Sequence, residues 1–586
     1  MNFNLNELSA AQQKSSTLGA LRKLLQLVRE ERPNLLLALA AILTNSGLNL
    51  TAPYIIGRTI DTYITQKVFH GVLVNAAILL AMYLLAFLAS YLQTRLMGGV
   101  GQRMLFKLRN SIFNKLQELP VTFFNQNKAG DLISRVNNDT DKINQFFSQS
   151  LMQFIGTITT MTGAGIFLVA INVKLGLAAL FPGFLIYIFT RAASTWVKNR
   201  NAASLKSTGG LSAEIQESLT NFKVIIAFNR RDYFRKRFEQ ANVENYKKSV
   251  GAGIANNVFI PVYGFLASMA QLIVLTLGIY LISTGNFSIG LLVSYLSYAT
   301  NFYNPLRQLA ALWTGFQTAM AAWDRISYIL NMESNLNVFP KKNQADVAGL
   351  LEFRNVCFSY PGGKEVLHNI NFTLDRGKTY ALVGPTGGGK STTASLIARL
   401  YDPQKGEVLL DGQDIRCYDS SARTERIGFI LQEPFLFTGS VKENILYGNQ
   451  KLKDYSNEQL ETVIREANLQ NLLSLFANGL ETKVTSGGDS ISLGQKQLIA
   501  FMRAILRNPD LLVLDEATAN IDTITEKILQ DILRKLPDTT ARVIIAHRLN
   551  TIQNADEIFF VNSGEVIRAG SFDHALNMLL QGKRAS

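Results

Sequence analysis

The chain has 586 residues, 47% of them hydrophobic and 17% charged, with a formal net charge of +14. That length is too great for one hydrophobic core, and the composition is too apolar for an ordinary soluble protein, so a membrane part is expected. The basic balance fits nucleic acid, an anionic membrane surface, or Lys/Arg-rich cytoplasmic loops, and only the placement of the charges separates these.

The first 17 residues, MNFNLNELSAAQQKSST, have neither an apolar core nor a cleavage pattern and read as an N-terminal tail with no signal or transit peptide. From Leu18 to Glu30, Leu21, Leu24, Leu25 and Val28 alternate with Arg22, Lys23 and Arg29, which suits an amphipathic helix along the inner membrane interface. Six apolar stretches follow, at about 35–56, 72–92, 148–170, 175–195, 254–282 and 288–312, each approaching the roughly 20 residues a spanning helix needs. The connections after the first, third and fifth are short. Those at 93–147 and 196–253 are long and hold Arg103, Lys107, Arg109, Arg135, Lys198, Arg200, Arg230, Arg231, Arg235, Lys236 and Arg237. The excess of positive charge on cytoplasmic loops places these segments and both termini in the cytoplasm. The basic charge is thus a topological signal, and no nucleic-acid partner is expected.

The long cytoplasmic segments have helical periodicity in Met104, Leu105, Leu108, Ile112, Leu116 and in Ile215, Leu219, Phe222, Ile225, so helices should continue out of the membrane. Within the fifth span Asn257, Gly264, Ser268 and Gln271 recur at helical spacing, as do Ser294, Tyr298, Asn301 and Gln308 in the sixth. Polar side chains at membrane depth face a bundle interior or an aqueous cavity, so these residues are candidates for a substrate path. Helix–helix hydrogen bonding is the competing reading for each of them. Residues 18–330 therefore form a six-helix transmembrane domain, 331–347 (NMESNLNVFPKKNQADV) a polar linker, and 348–586 a second domain. Cys357 and Cys417 lie far from any zinc-like cluster and read as buried thiols of a reduced compartment. His70, His368 and His574 read as structural or surface residues.

In the second domain, Thr379–Val383 has the composition of a buried strand, and Gly384-Pro385-Thr386-Gly387-Gly388-Gly389-Lys390-Ser391 follows it. This is the G-x-x-x-x-G-K-[ST] pattern: glycines let backbone N–H groups converge on phosphate oxygens at the start of a helix carrying Thr392. Lys390 is expected on the β/γ-phosphates and the Ser391 hydroxyl on Mg²⁺. The expected fold is an α-helical six-span transmembrane domain fused to an α/β P-loop nucleotide-binding domain, with ATP and Mg²⁺ as ligands.

Further motifs come in order: Tyr360 before Pro361, Gln432 in FILQEPFLFTGS, ISLGQKQ at 491–497, LLVLDEAT at 511–518, and IIAHRLN at 544–550. Together with FNKLQELPVTFFNQNKAGDLISRVNNDTD at 113–141, they resemble the ATP-binding cassette family, in its exporter-type half-transporters, over nearly the whole chain. The resemblance implies that Tyr360 stacks on adenine, Asp515 holds Mg²⁺, Glu516 polarises the attacking water, Gln432 approaches Mg²⁺ and that water, and His547 bonds the γ-phosphate. It also implies that Ser492, Gly494 and Gln495 cap ATP held on the phosphate loop of a second chain, so a second half-transporter is expected as partner. The resemblance further implies export across a bacterial-type cytoplasmic membrane, and a cavity as rich in aromatic and amide groups as the fifth and sixth spans offer would suit an amphipathic drug, lipid or peptide.

The sequence departs from the family pattern in two places. Ile491 and Leu493 replace the Leu and the middle Gly of LSGGQ, and Ser486 stands where glutamate is expected. Either the signature has drifted in a homodimeric exporter, or this chain is the catalytically complete half of a heterodimer, which DEATANIDTITEKILQ also resembles. A nucleotide-gated channel or regulatory ATPase is the alternative of another class.

Overall fold

The computed structural model describes Phe3, Leu5 and residues 29–333, 338–340, 349–485, 491–515, 523–545, 553–570 and 572–581. These residues divide into two compact units. One holds 29–116 and 130–331. The other holds the nucleotide-binding part together with 117–129, Phe3 and Leu5. The expected helix over 18–30 lies outside the described residues except for its last two, and so does most of the expected linker.

The membrane unit is helical throughout. Its elements are α1 Arg32–Thr59, closed by a π turn at Ile60–Ile64, α2 Phe69–Glu118, α4 Ala129–Ile171, α5 Val173–Thr220, α6 Phe222–Ala227, α7 Arg231–Ser283 with one irregular residue at Val258, and α8 Ile289–Leu330. The short α3, Val121–Gln126, belongs to the other unit. Local chemistry sets the starts of two of these helices. Asn172 caps α5 by accepting from the Leu175 N–H at 3.0 Å, and Ser288 caps α8 by accepting from Leu291. Fifty residues of α2 reach about 75 Å at the helical rise, against roughly 30 Å of hydrocarbon. The helices therefore continue beyond the membrane, as the periodicity implied. The stripe Met104, Leu105, Leu108, Ile112, Leu116 is buried as a set. The second stripe is helical but open in the single chain, with Leu219 70% exposed and only Ile225 buried.

Among the described residues, five helical stretches have the length and apolar composition to cross a membrane, from Arg29–Ile64 to Arg231–Ser283. The sixth expected span lies on α8, which is helical across 289–312 but dense in polar residues there, among them Ser294, Ser297, Thr300, Asn301, Asn304 and Gln308. α8 compensates by burial. Its Tyr295 and Tyr298 are fully enclosed in a core with Leu50 of α1, Ala164 and Leu168 of α4, Ala179 of α5 and Val274 of α7. α2 is the opposite case: Leu80, Leu84, Phe87 and Leu88 are each at least 56% exposed, the surface a lipid-facing helix presents.

α1 and α8 touch through backbone. A Cβ on Gly57 would lie 2.5 Å from the Gly290 carbonyl oxygen, and one on Gly290 would lie 2.0 Å from that of Gly57, so neither position accepts a side chain. One turn further, Asp61 accepts from the Gly290 N–H at 2.8 Å and from the Ser288 hydroxyl, placing a carboxylate at the N-terminus of α8. Towards the other end of α8, buried Asp139 of α4 takes Arg325 through both oxygens, while buried Arg135 donates to the Arg325 carbonyl.

The nucleotide-binding unit has two larger sheets. β1 Leu351–Ser359, β2 Glu365–Leu374, β4 Lys405–Leu410 and β5 Gln413–Asp414 form an antiparallel sheet in the order β2-β1-β4-β5. The other has the order β10-β9-β3-β8-β7-β6, from β3 Thr379–Val383, β6 Ile427–Ile430, β7 Leu511–Asp515, β8 Ala541–Ile545, β9 Glu557–Asn562 and β10 Glu565–Arg568. Its first five strands in chain order run parallel, and only β10 is antiparallel. β7 and β8 are buried at every residue, as continuous apolar runs in a covered parallel sheet should be.

Candidate functional site

Parallel strands deliver their loops to one edge. Leu382 pairs with Ile545, Ile545 with Asp515, and Leu514 with Ile430. The phosphate loop after β3, Gln432 two residues past β6, and Asp515 at the end of β7 therefore leave from the same carboxyl edge, where open α/β sheets bind ligands. Glu516 follows β7 directly and His547 comes two residues after β8, but both lie outside the described residues, as does Ser486.

The loop is folded to receive an anion. Gly384 and Gly389 take φ of +146° and +114°, and a Cβ on Gly384 would sit 2.0 Å from the Val561 carbonyl oxygen. Glycine is therefore required there by both conformation and space. Lys390 starts helix α9, Lys390–Ile397, is only 5% exposed, and donates to the Gly384 and Pro385 carbonyls at 2.9 and 3.0 Å. The Ser391 hydroxyl donates to Asp515 Oδ1 at 3.2 Å, bringing together the two side chains expected at the metal. A hydroxyl and a carboxylate make a hard oxygen pair of the kind Mg²⁺ prefers, so the residues present fit that ion. Gln432 is exposed.

Tyr360 follows β1 and packs edge-on against Phe358 and Tyr401, with its ring centroid 5.2 Å from that of Tyr401. Its hydroxyl pairs with Thr392 Oγ1 at 3.1 Å, tying the aromatic to the phosphate-loop helix. Tyr401 in turn accepts from Asn125 of α3 at 2.8 Å, and burial pushes its phenol above the ordinary range, so it stays neutral. Sequence reasoning missed Tyr401 and Asn125, because a contact between residues so far apart in the chain leaves no local pattern. It also placed Phe3 and Leu5 in a tail, whereas both side chains are buried. Asn127 accepts from the Leu5 N–H at 3.0 Å and donates to the Phe3 carbonyl, while Gln126 accepts from Phe3.

The signature stretch opens helix α10, Leu493–Ile505. Ser492 accepts from the Gln495 N–H at 3.2 Å and the Gln495 side chain accepts from the Ser492 N–H at 3.0 Å, a reciprocal capping box. Leu493 is 42% exposed beside it, and Gly494 is half-buried.

The expected path residues separate into two groups. On α8, Ser294 and Tyr298 are fully buried. Ser294 donates to the Pro53 carbonyl at 2.7 Å and Tyr298 to the Leu50 carbonyl at 2.7 Å, so both serve helix–helix hydrogen bonding. On α7, Asn257, Ser268 and Gln271 are exposed, and Gly264 is half-buried. Asn257 bonds its own helix at Gly253, and Gln271 reaches Thr300 of α8 at 3.1 Å. Asn301 is half-buried and Gln308 exposed.

Fold and site together define a membrane-embedded nucleotide-binding protein, in which a helical spanning part and a P-loop ATP-binding part share one chain. The family described as ABC transporter transmembrane region matches residues 35–306, and the ABC transporter family matches residues 367–519. An uncharacterized ABC transporter ATP-binding protein, YfiC of Bacillus subtilis, is 33% identical over 96% of this chain and 92% of its own length. A fatty acid ABC transporter ATP-binding/permease protein of Mycobacterium bovis is 33% identical over 90% and 81% respectively. A putative multidrug export ATP-binding/permease protein, YgaD of Bacillus subtilis, is 30% identical over 97% and 98%. The chain belongs to the ABC transporter family, as an exporter-type half-transporter of the multidrug B-family kind whose ATPase is coupled to transmembrane transport.

Proposed function

We infer that this chain is the catalytically complete half of a heterodimeric exporter, moving an amphipathic drug, lipid or peptide out of the cytoplasm with both termini on the cytoplasmic side. The observation that carries the reading is the contrast between a fully assembled phosphate loop and a signature bearing exposed Leu493. Lys390 and the loop N–H groups bind phosphate oxygens. Ser391, Asp515 and Gln432 would hold Mg²⁺, which when bound neutralises developing charge on the phosphates. Glu516 orients and polarises the attacking water, His547 fixes the γ-phosphate, and Tyr360 seats the adenine. Ser492, Gly494 and Gln495 face ATP held by the partner, where Leu493 restricts the close backbone approach that Gly allows.

The relatives' printed substrates, fatty acid and multidrug, are both amphipathic, which supports that class here. The path retains Asn257, Ser268, Gln271, Asn301 and Gln308. Ser294 and Tyr298 leave it, since their hydroxyls are committed to α1. The test is purification of the native complex in mild detergent. Recovery of a second, related half-transporter in equal amount supports the heterodimer, and recovery of this chain alone as a dimer refutes it.

A further inference from the structure

Two helices packed against α8 carry an internal proline, Pro53 in α1 and Pro182 in α5, and α8 itself carries Pro305. Proline lacks the N–H that would reach the carbonyl four residues back, and its ring crowds that carbonyl, so Asn49 and Ala178 lose their ladder partners and each helix bends. The next rung is the pair Leu50 carbonyl with Tyr54 N–H in α1, and Ala179 carbonyl with Gly183 N–H in α5. In a straight helix these groups bond directly. Here a tyrosine hydroxyl of α8 reaches each rung, Tyr298 in α1 and Tyr303 in α5.

Tyr303 accepts from the Gly183 N–H at 3.0 Å and donates to the Ala179 carbonyl at 2.6 Å, so its hydroxyl engages both groups of the rung. Tyr298 donates to the Leu50 carbonyl at 2.7 Å, the acceptor of the corresponding rung in α1. The offset from proline to rung is the same in both helices, and both tyrosines are buried. Gly183 admits the ring next door: a Cβ there would lie 3.2 Å from Phe302 and 3.6 Å from the Tyr303 hydroxyl. Tyr295, one turn from Tyr298 on the same helix, differs. It donates to the Leu168 and Asn172 carbonyls at the end of α4, which belong to a helix terminus with no proline.

We propose that Tyr298 and Tyr303 are positioning residues of the transport cycle, with hydroxyls set as pins into the proline bends of α1 and α5. A hydroxyl both donates and accepts, so it alone satisfies an N–H and a carbonyl that bending has parted. When the helix straightens, the two backbone groups re-form their direct bond and the hydroxyl is released. Each rung thus has two satisfied arrangements, the kind of bistable element that domain movements use. α8 holds both pins, so one displacement of α8 resets the angles of α1 and α5 together.

The test reads the bend rather than activity. In full-length chain with Cys357 and Cys417 replaced by Ser, spin labels at the exposed positions Leu177 and Leu205 flank Pro182 on α5. The protein is placed in nanodiscs of phosphatidylcholine and phosphatidylglycerol with excess unlabelled chain, and the intrachain distance is measured. Tyr303→Phe should raise the straightened population about 5-fold, the scale of one net hydrogen bond. In a Pro182→Ala background the same substitution should change it less than about 2-fold, since the rung is then closed by backbone alone. Tyr295→Phe should leave the α5 distance unchanged in both backgrounds. An equal shift with and without Pro182, or no shift at all, overturns the proposal. Should Pro182→Ala fail to insert, the mirror pair Tyr298→Phe and Pro53→Ala is read with labels at Leu36 and Ile64 of the first span, with the same two outcomes.

Discussion

The phosphate loop and the signature stretch, the two parts of the chain proposed to handle ATP, are built to different standards. At the phosphate loop the folded chain has already positioned the working groups: Lys390 is held by two carbonyls, Ser391 touches Asp515, and Tyr360 is tied to Thr392. At the signature, the capping box spends Ser492 and Gln495 on starting a helix, and an exposed leucine stands next to them. The first end is organised by its own strands and helix. The second has a sound helix start but lacks the bare backbone that close approach to an anion favours, so the difference points to unequal ATP sites.

Substitutions at the two ends sharpen or break that contrast. The largest effect belongs to Glu516→Gln, which preserves shape and hydrogen bonding but removes the carboxylate. Turnover should drop by about 10²-fold or more, the scale of general-base catalysis, while ATP still binds. Unchanged steady-state ATPase would remove Glu516 from the base role. Lys390→Ala comes next: loss of a charged hydrogen-bond partner should weaken ATP binding by about 10-fold or more, read by nucleotide titration. It also frees the Gly384 and Pro385 carbonyls that the ammonium now holds.

Ser492→Ala should act through the helix start, costing about 1 kcal/mol locally. Faster hydrogen exchange confined to the first turn of α10 is the expected signature, and unaltered exchange there would mean that the cap contributes nothing. The smallest effect is expected for Leu493→Gly, which should leave the ATPase of the complete complex within about 3-fold, since glycine costs a helix only about 0.5–1 kcal/mol. A rise to many times the original rate would show that Leu493 alone silences the second site.

Much of the phosphate-loop end was legible in the sequence because its geometry is local. Gly384, Gly389, Lys390 and Ser391 encode the turn and the helix start by identity and spacing, and β3 precedes them as a buried run. The cytoplasmic extension of α2 was legible for the same reason, since Met104 to Leu116 repeat at helical spacing and are buried together. The polar stripe on α8 was legible only in part. Spacing placed Ser294 and Tyr298 on one face but could not say whether that face met water or α1, because the carbonyls they bond are provided by a distant helix. Tyr303, Tyr401 and the buried Phe3 and Leu5 were invisible for a related reason. Each is defined by a partner more than a hundred residues away, and an isolated tyrosine or leucine carries no record of that partner.

The central claim, that this chain supplies a complete hydrolytic site and an impaired signature, is tested most directly by its ATPase activity without a partner. Full-length chain purified alone into lipid nanodiscs should hydrolyse ATP only slowly, and should gain activity when the second half-transporter is added, with that gain abolished by Glu516→Gln here. Robust turnover from this chain by itself, equally sensitive to Glu516→Gln, would contradict the asymmetry and leave a homodimer whose signature works as it stands.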